Sequence, residues 1–410
     1  MLSVEEALAR ILAVIPVLGP ETVELAAALG RVLAEPVTAA RDLPPWDNSA
    51  MDGYALRAVD TAGAAAERPS RLSLLGDIPA GAVADRPVGA GQAYRILTGA
   101  PMPPGADAVV PQEDVRREGG AVLVARPVPA GSFVRPRGED IRAGERVLGP
   151  GAVLGPAALG VLAALGRPLV RVHQRPRVAI LSTGDELVDL DTPPGPGQIP
   201  NSNTYTLSAQ VREAGGIPVN LGIARDSRED LEAHFRWGLP ADVLVSSAGV
   251  SVGDRDFVRE VMEKLGAELD FWKVSMRPGK PLTFGRVGGR PFFGLPGNPV
   301  SSMVTFELFV RPALRRMAGD PRLFRPRTTA RMAEPLDNPG PRRGYLRVRL
   351  TEEGGRLIAR ATGEQGSGIL KSMLLADGLA VVPADTRLEA GQPIEVILLR
   401  SDAAPTIDAG

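Results

Sequence analysis

Cysteine is absent from this chain of 410 residues, and histidine occurs only twice, as His173 and His234. Without thiols the chain can form no disulfide, no thiolate metal centre and no cysteine nucleophile. Two histidines also leave almost no material for a histidine-rich zinc site. Any metal ion must therefore be held mainly by oxygen ligands, which is the preference of Mg²⁺.

The chain also lacks an excess of one charge and a long apolar run. It has 47 basic and 48 acidic residues, for a net charge of −1, whereas a nucleic-acid binder needs a basic surface that displaces counterions. Its longest apolar run, residues 152–166, is too short to span a membrane and contains Pro156. Glu5 and Glu6 lie where a signal peptide would need apolar residues. We therefore expect a cytoplasmic protein that binds neither nucleic acid nor membranes.

Lysine is scarce, since only four of the 47 basic residues are lysines. A chain that uses arginine by default keeps lysine where a compact ammonium group is needed. Two of the four, Lys273 and Lys280, lie seven residues apart, and Pro278 and Gly279 place Lys280 on a tight turn. The alternative is a chance cluster of surface lysines. The turn favours a functional role.

The length of the chain predicts two to four domains. Residues 3–6 fit a capping box, which predicts a helix at the N-terminus. Short strands broken by glycine and proline then indicate a small β domain, and a helical pattern returns between residues 140 and 171. We expect the N-terminal helix to pack on this later stretch, so that the β domain is an insertion between them.

Predicted strands and helices alternate from residue 177 to residue 317. The predicted strands are 178–181, 217–223, 243–246, 269–274 and 292–295, and the predicted helices are 204–214, 228–237, 256–265 and 300–317. Alternation of this kind favours a doubly wound α/β domain, whose ligand sites lie at the carboxyl ends of the strands. Beyond residue 327 the period is mostly two, which predicts a small β-barrel or sandwich.

Acidic loops follow three of the predicted strands. They contain Asp185 and Glu186, Asp226, and Asp254 and Asp256, and either member of each pair is a candidate ligand. The first begins with a Ser-Thr-Gly turn, residues 182–184, which can bind phosphate through backbone N–H groups while its carboxylates bind Mg²⁺. Each loop taken singly fits the capping of a helix equally well. Three such loops at one sheet edge favour a cation, because like charges repel unless a cation joins them.

Two further segments have the composition of binding loops. The turn Leu295–Pro299 stands between a predicted strand and a predicted helix, where Gly297 can expose N–H groups at the helix start. Taken alone it is more typical of a rigid turn. Residues 47–53 contain two aspartates and an asparagine, and Thr98 ends a predicted strand that can face the same cleft.

Six motifs in this order resemble the MoeA family, the molybdopterin molybdenumtransferases, which include the E domain of gephyrin. The motifs are PWDNSAMDGYA (residues 45–55), RILTGA (95–100), STGDEL (182–187), VSVGDRDF (250–257), RPGKPL (277–282) and LPGNPV (295–300). The chain departs from the family at two positions. Arg277 stands where the family commonly has lysine, and Ala248 replaces the first glycine of the usual Ser-Gly-Gly loop.

The resemblance implies a multidomain α/β and β protein. An elongated discontinuous domain I comprises residues 1–43 and 139–172, and an inserted small β domain II comprises residues 44–138. A doubly wound, MoaB/MogA-like α/β domain III that binds molybdopterin comprises residues 173–320, and a C-terminal β-barrel, domain IV, comprises residues 321–400. It further implies a homodimer in which each active cleft is shared between subunits. Contact with other enzymes of molybdenum cofactor biosynthesis is a further expectation.

The family's functional residues are carried over motif by motif. The catalytic group is Asp52, Thr98, Asp140, Glu186, Asp226 and Asp256, of which Glu186, Asp226 and Asp256 are the expected metal ligands. The substrate-binding loops contribute Ser182, Thr183, Gly184, Ser247, Gly249, Ser251, Gly253, Pro296, Gly297, Asn298 and Pro299. The expected basic ligands are Lys273, Arg277 and Lys280, and the looser motifs of the fourth domain add Arg347 and Ser367.

The implied activity is Mg²⁺-dependent insertion of molybdate into adenylated molybdopterin with release of AMP. Molybdate and the pyrophosphate link are anionic, so a cluster of cations suits both. Asp52 is a candidate for either a general base or a metal ligand. Two alternatives are an adenylyltransferase, which shares the α/β domain but lacks the second and fourth domains, and a non-catalytic scaffold like gephyrin.

Overall fold

A mixed six-stranded sheet forms the centre of the molecule, whose computed structural model describes residues 1–248 and 257–400. Its strands are Arg177–Thr183, Ile217–Ala224, Val243–Ser247, Glu268–Lys273, Pro281–Val287 and Arg290–Leu295. Helices Asn203–Glu213, Arg228–Gly238, Phe257–Lys264, Pro299–Thr305 and Arg311–Met317 pack on it, the last two joined by a π-helical turn, Phe306–Val310. The predicted doubly wound α/β fold is confirmed.

Four neighbouring strands of this sheet are parallel, and Arg177–Thr183 is flanked by Ile217–Ala224 and Val243–Ser247. Both faces of the sheet are covered, so these strands are near-continuous apolar runs. On one face Val178, Ile180 and Val245 join the largest apolar cluster, while Leu181 and Leu244 join a second cluster on the opposite face. The parallel arrangement brings the carboxyl ends of the four strands to one edge.

The N-terminal helix, Val4–Val14, begins with the predicted capping box, since Ser3 and Glu6 exchange side-chain to backbone hydrogen bonds. Its partner is not the stretch 140–171, and that expectation is wrong. Val4, Ala7 and Ile11 belong to the apolar cluster of the α/β core, where the helix packs on Arg311–Met317. The apolar stripe predicted the helix correctly, but a stripe does not specify which apolar surface covers it.

The expected helical stretch is helical over only part of its length. Its helix covers only Pro156–Ala164, and Leu169–His173 is a strand that pairs antiparallel with Pro20–Glu24. A second pair joins Val37–Thr38 to Arg146–Leu148. Residues 20–43 and 141–173 therefore pack together through strands and share two small apolar clusters.

Between these two segments lies a six-stranded β sheet. Its strands are Gly53–Leu56, Ser70–Ile78, Gln92–Ile96, Ala108–Pro111, Val115–Glu118 and Ala121–Val124. A short antiparallel pair, Asn48–Ser49 with Val134–Arg135, holds the segment before Asp52 against the sheet. The clearest short strands that the sequence predicts here, at 72–75, 94–97, 108–110 and 121–124, are all among the strands of this sheet.

The C-terminal strands close into a five-stranded barrel, as predicted, because Arg343–Glu353 pairs with both Arg356–Ala361 and Gly378–Val382. The other two strands are Arg327–Met332 and Pro393–Leu398, and a short helix covers Leu370–Leu374. Two shorter strands, Leu336–Asn338 and Thr386–Leu388, pair beside it. In the part of the chain that the structure describes, no helix is both long and apolar enough to cross a membrane.

A buried ion cluster lies where the barrel meets the α/β core. The Glu307 carboxylate, with its side chain 3% exposed, accepts hydrogen bonds from Arg325 Nε and Gln210 Nε2, both at 2.8 Å. Arg311 Nε lies 3.9 Å from the same carboxylate, and burial lowers the pKa of Arg311. One carboxylate thus faces two buried guanidinium groups.

Glu307→Gln is expected to lower the free energy of unfolding by about 3 kcal/mol, because removing one partner leaves buried charge uncompensated. Urea titration followed by fluorescence measures the change. The matched control is Glu395→Gln, whose pair with Arg327 is about half exposed. It should change stability by less than about 1 kcal/mol. Equal losses in the two variants would contradict the prediction.

Candidate functional site

A cleft of about 620 Å³ lies at the carboxyl edge of the parallel strands. Its walls come from the ends of two strands, the start of helix Asn203–Glu213, the turn after Arg290–Leu295 and Gly368 of the barrel region. Seven predicted site residues line it: Thr183, Glu186, Ser247, Pro296, Gly297, Asn298 and Pro299. Motifs separated by more than a hundred residues in sequence therefore meet at one surface.

The two hydroxyl groups of the Ser-Thr-Gly turn, those of Ser182 and Thr183, have different roles. Ser182 Oγ is buried and lies 3.1 Å from Asn201 Oδ1 and 2.8 Å from Thr204 Oγ1, so it holds the start of the following helix. Thr183 lines the cleft, and its Oγ1 is also buried and has no hydrogen-bond partner among residues 1–248 and 257–400. Thr183 therefore offers a hydrogen-bonding group to a ligand, while Ser182 supports the wall.

Position 184 favours glycine because of its backbone conformation and because the Glu186 side chain lies against it. Its φ is +141°, and a Cβ there would collide with the Glu186 carboxylate, which folds back over the turn. Glu186 is exposed and lines the cleft. Glycine at position 184 therefore makes room for the one acidic side chain that the described cleft wall contains.

The second acidic loop lies beside the first. The Gly184 N–H donates to Ala224 O over 3.2 Å, and the Asp226 N–H donates to Asp185 Oδ1 over 3.3 Å. Among the residues that the structure describes, no three acidic or histidine side chains cluster closely enough to hold a metal ion. Asp254, Asp256, Gly249, Ser251 and Gly253 lie outside the described residues. The complete Mg²⁺ ligand set stays a prediction.

The turn Pro296–Pro299 is held from both sides. Asn203 Nδ2 donates to Ser247 Oγ at 2.6 Å and to Gly297 O at 2.7 Å. From the barrel side, Ser367 Oγ accepts from Asn298 Nδ2 at 3.0 Å, and Ser367 O accepts from the Val300 N–H at 3.1 Å. The predicted residue Ser367 is thus brought to the rim of the cleft.

The predicted basic residues lie on the strand segments beside the cleft. Lys280 is exposed and precedes Pro281, which lines the cleft, while Lys273 pairs in register with Pro281. Arg277 is half-buried and lies on the short strand that joins the barrel. Lys273 and Lys280 thus adjoin Pro281 of the cleft wall, whereas Arg277 lies on the strand that links the core to the barrel.

Arg347 is fully buried and supports the loop that carries Ser367. Its Nε donates to Ser372 Oγ and its Nη2 to Gly366 O, both at 3.0 Å, while Nη1 has no partner in the described part of the chain. Burial, followed by the charge of Arg277, lowers the pKa of Arg347 to about 10. The side chain remains charged at neutral pH and adds positive potential behind the rim.

Asp52, Thr98 and Asp140 lie on other parts of the molecule. Asp52 Oδ1 accepts hydrogen bonds from the backbone N–H and the hydroxyl of Thr98, both at 2.8 Å, and these bonds lower the pKa of Asp52. Asp140 is exposed, and its N–H donates to Leu43 O. No residue between 44 and 138 is found among the described residues of the cleft wall. Within a single chain, Asp52, Thr98 and Asp140 therefore lie away from the cleft.

Ala248 adopts a left-handed conformation, with a φ of +75°. Its Cβ lies 3.0 Å from the position that a Cβ on Gly297 would occupy, so the two residues face each other across the cleft edge. The alanine side chain therefore lies between the end of the central strand and the turn.

Sequence reasoning missed one side of the cleft, which comprises Leu187 and residues 199–203. Asn201 and Asn203 precede or start a helix, a position where asparagine is ordinary for capping. The repeated asparagine in Asn-Ser-Asn was the only available signal.

Comparison with known proteins covers nearly the whole chain. Residues 2–166 match the MoeA N-terminal region (domain I and II), residues 179–316 a probable molybdopterin binding domain, and residues 329–399 the MoeA C-terminal region (domain IV). A molybdopterin molybdenumtransferase of Nostoc sp. is 41% identical over 92% of this chain and 88% of its own length. Molybdopterin molybdenumtransferase 2 of Mycobacterium tuberculosis is 40% identical over 92% of this chain and 94% of its own length.

The solved structures agree with the sequence relatives. A molybdopterin biosynthesis MoeA protein from Pyrococcus horikoshii superimposes with a TM-score of 0.85 at 34% identity, over 98% of this chain and all of that one. A second structure of a protein with the same description, from the same organism, gives a TM-score of 0.82 at 32% identity. The arrangement of all four regions is therefore similar to that in solved proteins.

Proposed function

This chain belongs to the MoeA family of molybdopterin molybdenumtransferases, transferases of molybdenum cofactor biosynthesis, and from that premise we propose that it inserts molybdate into adenylated molybdopterin with Mg²⁺ and releases AMP. One observation carries the proposal: three separate motifs converge on a single cleft that combines a buried hydroxyl, a carboxylate and a rigid turn. The proposed activity takes place in the cytoplasm.

The carboxylates that the structure describes in and beside the cleft suit Mg²⁺. Glu186 in the cleft and Asp226 on the adjoining loop supply carboxylate oxygens, the ligands that a hard divalent cation prefers. When bound, the ion supplies charge neutralisation at the pyrophosphate link. Thr183 would orient that end of the substrate, and the Pro296–Pro299 turn would fix its position between the strand ends and the barrel.

The cations on the barrel side suit the oxyanions of the reaction. Lys273 and Lys280 adjoin Pro281 of the cleft wall, Arg277 lies on the strand that pairs with the barrel, and Arg347 lies charged behind the loop that carries Ser367. Positive groups fixed before the reaction stabilise negative charge that develops on the leaving phosphate and hold the molybdate dianion without reorganisation. Molybdate is accordingly expected near the barrel side, and the adenylate link near Glu186.

We further propose that the catalytic unit is a homodimer in which Asp52 of one subunit reaches the cleft of the other. In one chain the described cleft wall contains no residue of the inserted β sheet, and Asp52 projects from that sheet with its charge exposed. Trp46 and Met51, on the same loop, are 49% and 38% exposed. Large exposed apolar side chains beside a charged group are typical of a surface that a partner covers.

Incubating the protein with adenylated molybdopterin, Mg²⁺ and molybdate is expected to liberate AMP, measured by chromatography. Leaving out molybdate, or adding a chelator, should suppress release. No release above buffer would contradict the proposal. Supplying ATP and unadenylated molybdopterin tests the adenylyltransferase alternative, for which pyrophosphate would appear instead.

A further inference from the structure

Asn203 carries a polar atom that the protein itself does not use. Its side-chain oxygen, Oδ1, is buried and has no hydrogen-bond partner within residues 1–248 and 257–400. A buried acceptor without a donor is unfavourable by an amount comparable to a lost hydrogen bond. The residue lines the cleft, so a bound molecule can supply the missing donor.

The orientation of this amide is determined by its neighbours. Gly297 O can only accept a hydrogen bond, and it lies 2.7 Å from Asn203 Nδ2, so the NH₂ group must face it. The second hydrogen of the NH₂ group is directed to Ser247 Oγ at 2.6 Å. Both donors are therefore engaged, and an exchange of the oxygen with the nitrogen would place two acceptors, the amide oxygen and Gly297 O, against each other.

We propose that Asn203 determines specificity in the cleft by accepting a hydrogen bond from an amino-substituted heterocycle. The wall of the same cleft includes Ile199, Pro281 and Pro296, apolar groups that suit the face of a flat ring. An exocyclic amino group in the plane of such a ring provides the donor. This rests on the proposed function, whose substrate has two rings of this chemistry, a pterin and an adenine.

Two pairs of small probes distinguish the rings, and each pair exchanges an amino group for an oxo group. AMP is compared with inosine monophosphate, and pterin with lumazine, by equilibrium binding to the full-length protein. The wild-type protein is expected to prefer the amino member of one pair by about five- to tenfold, the usual contribution of one neutral hydrogen bond. The pair that shows the preference identifies the ring.

Asn203→Ala is expected to bring that preference close to one. A purely structural role for Asn203 would instead weaken all four probes alike and leave both ratios unchanged. Asn203→Asp, which retains acceptor oxygens but loses the two donated bonds, should keep the preference while binding more weakly overall. If Asn203→Ala does not fold, Asn203→Ser makes the same comparison, because its side chain is too short to place an oxygen at that position.

The matched control is Asn220→Ala, which removes an exposed asparagine whose Oδ1 accepts from the Gly222 N–H on the same sheet. It should bind all four probes like the wild type. Ratios that are the same in folded Asn203→Ala and in the wild type overturn this inference alone. A wild-type protein that binds none of the four probes overturns it together with the proposed function of the cleft.

Discussion

Asp52→Asn is expected to slow AMP release by about 10²- to 10⁴-fold, the range for loss of a general acid–base group. The substitution is nearly isosteric, and the asparagine oxygen can still accept the two hydrogen bonds from Thr98. Only the charge and the basicity are lost. Single-turnover AMP release measures the effect, and a rate within twofold of the wild type would remove Asp52 from the mechanism.

The pH dependence of this carboxylate follows from its hydrogen bonds. The Thr98 N–H and hydroxyl hold the pKa of Asp52 below its ordinary value of 3.8 in the folded protein. A group with a lowered pKa contributes stability above its unfolded pKa and loses it as the pH falls through the folded value. Asp52 therefore stays ionised across the neutral range, and any acid limb of the activity between pH 5 and 8 must come from another group.

Co-expression of two inactive variants tests whether the cleft is shared. In a mixed dimer of Asp52→Asn and Glu186→Gln subunits, one cleft receives Asp52 and Glu186 intact and the other receives neither. If subunits associate at random, about a quarter of the wild-type activity should return. Each variant alone provides the baseline. A mixture no more active than its components would place both residues in a site made by one chain.

Glu186→Gln is expected to lower the rate of AMP release by about 10²- to 10³-fold, as for loss of one fixed electrostatic group at a reacting centre. Glu186 provides the carboxylate in the described cleft wall, and its side chain covers Gly184. The amide preserves the shape but binds a hard cation weakly. A rise in the Mg²⁺ concentration needed for half-maximal rate should accompany the loss.

The control for this variant is Asp189→Asn, which neutralises an exposed carboxylate three residues further along the same connection. It removes the same charge from the neighbourhood without touching the cleft, so the rate and the Mg²⁺ dependence should both stay unchanged. Similar losses in the two variants would mean that general negative potential matters and that Glu186 has no specific role.

The sequence predicted the α/β core well because its signals there are local. Val243–Ser247 is a buried strand that reads as one apolar run, and the polar loops after such strands met at one edge as expected. Strand Pro281–Val287 was missed. It contains Gly285, which resembles a breaker in sequence but lies where a Cβ would strike the backbone of Glu268 and Leu269. The glycine permits close pairing, a fact that only the partner strand reveals.

Non-local pairing also explains two further errors. Residues 169–171 looked helical because apolar residues recur nearby, yet the partner of their strand begins about 150 positions earlier, at Pro20. Asn203 was missed because it looks like an ordinary residue at a helix start, while its hydrogen bond to Gly297 O spans 94 positions. Patterns within a short window report the element and carry no information about such distant partners.

Strand Met276–Arg277 belongs by sequence to the α/β region, yet it hydrogen-bonds alongside Arg343–Gly344 at the rim of the barrel. Backbone hydrogen bonds as well as side-chain contacts thus join the α/β region to the barrel. Because Arg277 lies on this strand, the barrel cannot be displaced from the α/β core without either breaking this pairing or moving Arg277 with it.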